Sequence, residues 1–171
     1  MNSPCLFFMK GGNKMINEIY QSSEKIVNSY LNLVIDFPEK VNVTSDESLE
    51  VFMSELGNDI NLNDRQMKYK ERNNEVSRRQ KDFFETYSHE EIILLYNAYE
   101  YGKELNFNND HYLAEKLLNN AKGKEEYFEI FYKSIQREIS DLNKNEIIYE
   151  LAGKQDWIIK DSLQSYLENF A

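Results

Sequence analysis

Apolar residues recur at three- and four-residue steps along most of the chain. From Met15, the positions Ile16, Ile19, Tyr20, Ile26, Val27, Tyr30, Leu31 and Val34 fall on one side of a helix, which predicts an amphipathic segment with a buried face. Pro38 ends it, because proline disfavours helix in the preceding residue and donates no backbone hydrogen bond. Residues 41–43 read as a short extended linker. Thr44 with Glu47 then matches a capping box, in which hydroxyl and carboxylate each satisfy a free amide at a helix start. The helix it opens carries Leu49, Phe52, Met53 and Leu56, and Gly57 offers a left-handed cap.

Residues 58–63 read as loop. The strongly polar stretch 64–86, without glycine or proline, is expected to be helical and frayed at Asn73-Asn74. Ser88-His89-Glu90-Glu91 is the clearest capping box, with Ile92, Leu95, Tyr96 and Tyr99 behind it and Gly102 as the expected close. Asp110 is placed to cap a short helix bearing Leu113, Ala114, Leu117, Leu118 and Ala121, with Gly123 after it. Residues 124–142 put Phe128, Phe131, Ile135, Ile139 and Leu142 on one side. A short helix over 143–152 ends at Gly153, and Asp156 opens a last one with Ile159, Leu163, Tyr166, Leu167 and Phe170 as its stripe.

The pattern therefore predicts an all-α fold of about seven or eight helices, with no significant sheet and no repeat of fixed period. A length of 171 residues and 41% hydrophobic content suit one self-sufficient domain, expected over 15–171. Residues 1–14 are expected to be a disordered leader. Lys10-Gly11-Gly12-Asn13-Lys14 is what a purine-rich ribosome-binding sequence ahead of an ATG codon would encode, so Met15 is the expected start. Richness in Asn, Lys, Ile, Glu and Tyr fits an AT-rich bacterial or phage genome.

Composition narrows the chemistry. A lone cysteine, Cys5, allows no intramolecular disulfide and no CxxC pair, in keeping with a reducing cytoplasm. The longest apolar runs, 5–9 and 92–96, are far short of the ~20 residues that cross a bilayer. The first also lacks a basic n-region and a cleavage site, so no export signal is read. No phosphate loop, GxSxG elbow, HExxH or GxGxxG is present. Gly123-Lys124 is followed by Glu125, where a phosphate loop needs Ser or Thr.

Neither histidine completes a Glu-x-x-His pair of the di-iron type, since Thr86 precedes His89 by three and Asn108 precedes His111 by three. Glu85–His89 and His111–Glu115 have four-residue spacing, which fits solvated helix pairs better than metal ligation. Glu90-Glu91 and Glu125-Glu126 sit near helix N-termini, where the dipole accounts for negative charge. No catalytic residue, metal or cofactor is assigned. Tyr96, Tyr99, Tyr127, Tyr132, Tyr149 and Tyr166 lie on or beside the apolar stripes and are expected at the core edge, with Trp157 as an anchor for the last helix.

Charge is unevenly distributed. Residues 64–81 carry Arg65, Lys68, Lys70, Arg72, Arg78, Arg79 and Lys81 against three acids, a balance of +4, between flanks of −5 and −9 that bring the chain to −10. These seven cations are the candidate partner-binding residues. They can meet phosphates, an acidic partner or the acidic remainder of their own fold. Net acidity opposes approach to nucleic acid and favours a basic protein partner reached by electrostatic steering. The leading expectation is a non-enzymatic protein-interaction module, a regulator or neutralising, immunity-like partner. The alternative is a nucleic-acid-associated protein using 64–81.

Two stretches resemble a bacterial family described as domain of unknown function number 3775. Residues 88–102, Ser88-His89-Glu90-Glu91 through Tyr101-Gly102, resemble its acidic capping turn, leucine-rich helix and closing glycine. Tyr149-Glu150-Leu151-Ala152-Gly153 with the following helix resembles its C-terminal segment. The family's Leu-Met-Trp-Leu-Gly-Arg-Gly run appears only as residues 97–103, without tryptophan or second glycine. The resemblance implies a helical fold and no activity.

Overall fold

A computed structural model describes residues 12–107 and 124–170, and among them every regular element is a helix. They are α1 (Gly12–Ile35), α2 (Ser45–Glu55), α3 (Asp64–Glu85), α4 (His89–Phe107), α5 (Lys124–Glu138), α6 (Lys144–Ala152) and α7 (Asp156–Phe170). The helix expected after Asp110 and the His111–Glu115 pair lie outside the described residues. The chain divides into two compact units where one domain is expected from the sequence, one holding α1 and α4–α7 and the other comprising residues 36–86.

In the first unit α4 is the central element, packing most extensively on α7 and also on α1, α5 and α6. Its buried residues Ile92, Leu95, Asn97, Ala98, Tyr99, Tyr101 and Gly102 spread over most of its circumference, with Tyr96, Glu100 and Lys103 only part-buried on the remaining side. So broad a buried surface is wider than a single apolar stripe. The expected stripe of Ile92, Leu95, Tyr96 and Tyr99 therefore captures only one side of it. Ser88 starts α4 as expected: its amide donates to Glu91 Oε2 at 2.8 Å, and the Glu91 amide donates to its Oγ at 3.2 Å.

Gly102 does not close α4, which runs on to Phe107. Its missing side chain lets the backbone of α7 approach instead, since a Cβ there would stand 1.8 Å from the Ser162 carbonyl oxygen. Around Tyr101 the core is aromatic. Phe128 lies 4.8 Å away edge-on, Phe131 5.4 Å and Tyr166 6.3 Å, arrangements that suit the ring quadrupole. Tyr166 in turn shares a buried 2.7 Å hydrogen bond with Ser23 of α1. Tyr99, Tyr127, Tyr132 and Tyr166 are thus core residues, but Tyr149 is 79% exposed. Trp157 is half-exposed rather than a buried anchor, because it lies off the side of α7 formed by Ile159, Leu163 and Tyr166.

The second unit is a strap without regular secondary structure (36–43) followed by α2 and α3. Thr44 and Glu47 make the expected capping box, with the Thr44 amide donating to Glu47 Oε2 at 2.7 Å. Gly57 takes φ +84°, and the Gly57 and Asn58 amides donate to the Ser54 and Met53 carbonyls, closing α2 in a Schellman turn. α3 continues unbroken through Asn73-Asn74. Glu85 and His89 stand on different helices, so they share no helix face.

Candidate docking surface

The basic segment 64–81 forms most of α3, and its cations are largely engaged within their own unit. Arg65, Arg72 and Arg79 recur every seven residues, which places them in one line along α3 because seven residues make nearly two turns. Each donates to a backbone carbonyl of the strap. Arg65 Nε bonds Asn42, Arg72 Nε bonds Pro38 at 3.0 Å, and an Arg79 guanidinium nitrogen bonds Asp36 at 2.9 Å. The strap therefore runs antiparallel to α3, and the guanidinium groups satisfy carbonyls that no sheet partner reaches.

Three of the remaining four cations of the segment are engaged as well. Arg78 bridges Glu75 at 2.9 Å and Asp82 at 3.1 Å, Arg79 also meets Glu75 at 2.7 Å, and Lys81 meets Glu85 at 3.8 Å. The two guanidinium groups, Arg79 first, hold the Glu75 carboxyl below its ordinary range. Lys70 donates to Ser54 Oγ at 3.4 Å. Lys68 alone of the seven has no hydrogen-bond or ion-pair partner among the described residues.

α2 meets α3 through Glu47–Arg65, Glu50–Gln66 and Ser54–Lys70, with Val51 buried among the same turns. Gln66 is the pivot. It is buried, its Oε1 accepts from the Asn63 amide at 2.7 Å to complete a capping box, and its Nε2 donates to Glu50. The sequence signal for that box was Asn63-x-x-Gln66, the same spacing as at Thr44. At about 100° per residue, Glu47, Glu50, Val51 and Ser54 share one side of α2, so Leu49, Phe52, Met53 and Leu56 share the opposite side. Those four are between 36% and 63% exposed.

The apolar stripe of α2 thus points outward, inverting the usual arrangement for a surface helix. Caps at both ends hold the helix without burial of that stripe. Asp46 flanks it beside Leu49 and Glu55 beside Phe52, each three residues away and so on neighbouring positions. All four charged residues of α2, Asp46, Glu47, Glu50 and Glu55, are acidic. Thr44's amide, more than the nearby Arg65, draws the Glu47 carboxyl below its ordinary range.

Elsewhere on the first unit, a shallow depression lined by Asn106, Trp157, Asp161, Gln164, Ser165 and Glu168 presents an indole beside two carboxylates. Among the described residues no group of three or more His, Cys, Asp or Glu is placed to hold a metal ion, and no helix is long and apolar enough to cross a membrane. No family model matches the chain, and neither a curated protein nor a solved structure is similar to it.

Proposed function

We propose that this chain is a protein-interaction module of a bacterial or phage cytoplasm, a regulator or neutralising partner that acts by docking rather than by catalysis. The observation that carries this reading is the outward stripe Leu49, Phe52, Met53 and Leu56. Four large apolar side chains on one helix face form a contiguous patch. Single exposed apolar residues are ordinary, whereas contiguous ones mark interaction sites. Net acidity adds steering toward a basic partner.

The basic segment supports nucleic-acid binding less well. A phosphate would have to displace the strap carbonyls or the Glu75, Asp82 and Glu85 carboxylates that these cations already meet. The docking reading is tested by using the whole chain as bait beside its Phe52→Ser/Leu56→Ser variant in lysate of the source cell. A protein held stoichiometrically by the first and lost by the second is expected. Equal retention by both baits would remove the stripe from the function.

A further inference from the structure

We infer that the occupant of the α2 stripe is an amphipathic helix of another protein, with lysines or arginines flanking its apolar face. This rests on the docking reading above and specifies the partner's chemistry. The spacing i, i+3, i+4, i+7 of Leu49, Phe52, Met53 and Leu56 is the contact row of a helix that packs along a second helix.

Charge selects the partner. α2 carries no basic residue, Glu47 and Glu50 are turned toward α3, and Asp46 and Glu55 are left beside the stripe without an ion-pair or hydrogen-bond partner among the described residues. A helix lying on the stripe places its own flanks against those two carboxylates. Basic flanks gain from this, and acidic flanks are repelled.

The same argument disfavours a second copy of this chain. Stacking α2 on α2 would bring together two helices whose charged residues are all acidic, between molecules that each carry −10. The four half-exposed side chains also offer only about 400 Å², roughly half of one partner's share in a standard interface. A slender helix that borrows its remaining contacts from polar flanks fits that area better than a broad face does.

The test uses the full chain and three synthetic peptides of about 18 residues, long enough to form a helix on contact. One is an amphipathic leucine–lysine helix, one is its leucine–glutamate counterpart, and one scrambles the leucine–lysine composition. Binding is followed by fluorescence anisotropy. The leucine–lysine helix is expected to bind, more weakly as salt rises from about 50 to about 300 mM. Phe52→Ser/Leu56→Ser, which leaves charge unchanged, should weaken it roughly tenfold or more, as loss of central apolar anchors does. Asp46→Asn/Glu55→Lys should weaken it while leaving the stripe intact, and circular dichroism checks that both variants remain helical.

Binding of the leucine–glutamate helix in a stripe-dependent way would overturn the partner's charge and keep the docking surface. Binding of the scrambled peptide as tight as that of the helix, or indifference of the leucine–lysine helix to the stripe variant, would mean attraction by net charge alone and would overturn docking as well. Dimerisation in sedimentation runs that the stripe variant abolishes would assign the surface to a second copy instead.

Discussion

The Ser162 carbonyl oxygen of α7 stands 1.8 Å from where a Cβ on Gly102 of α4 would lie. Because the obstructing atoms are backbone, no rotamer change relieves the conflict, and the two most closely packed helices of the first unit would have to separate. Alanine's higher helix propensity returns at most about 1 kcal/mol. Gly102→Ala is therefore expected to cost about 2–4 kcal/mol net, read as a lowered urea midpoint. A midpoint at or above the parent value would show that α4 and α7 do not meet there.

The tyrosines of the same core couple stability to alkaline pH. Burial pushes the Tyr101 and Tyr132 hydroxyls up to about 12, from 10.0, and raises Tyr166 too. The unfolded chain thus loses these protons first. Their contribution is complete below pH 10 and is lost as pH climbs toward 12. Tyrosinate absorbance from these residues should appear only as far-UV ellipticity collapses. Full ionisation of all twelve tyrosines near pH 10 with helicity intact would contradict the burial.

In the second unit, Arg72 is the middle rung of the arginine line and donates to the Pro38 carbonyl from a partly buried position. Arg72→Met keeps the aliphatic stem and removes the charged donor, so a loss of about 1–3 kcal/mol is expected. Lysine should restore little of it, because an ammonium lacks the planar fork that reaches a carbonyl sideways. Thermal unfolding of the three proteins decides the matter, and equal midpoints would dissolve the link between strap and helix.

Neighbouring residues of α2 should respond oppositely to truncation. Val51, 3% exposed, is expected to cost about 1–2 kcal/mol as alanine, whereas Phe52→Ser, though larger, should change stability by no more than about 0.5 kcal/mol. Chemical denaturation of both variants tests the direction in which α2 faces. A reversed order would place Phe52 inside.

Much of this fold is legible without coordinates where the cause is local. Thr44 with Glu47 and Ser88 with Glu91 start helices because their side chains satisfy amides three residues away. Gly57 ends one because only glycine enters positive φ without steric cost. The side-chain spacing likewise places Leu49, Phe52, Met53 and Leu56 on one face of α2 whatever surrounds them.

Which face meets the rest of the protein is another matter, because burial depends on residues far away in sequence. Periodicity treats the α2 stripe like that of α1, yet the links Glu47–Arg65, Glu50–Gln66 and Ser54–Lys70 turn it outward. It reads Gly102 as a stop, whereas the approach of Ser162, sixty residues on, makes it a point of contact. It shows Arg65, Arg72 and Arg79 at seven-residue steps, but the carbonyls of Asp36, Pro38 and Asn42 that receive them become visible only when the strap lies along α3. Local hydrogen bonding and helical pitch are written in neighbouring residues. The partners that bury a face or take up the strap-bound arginines come from distant ones, and only the folded chain brings them together.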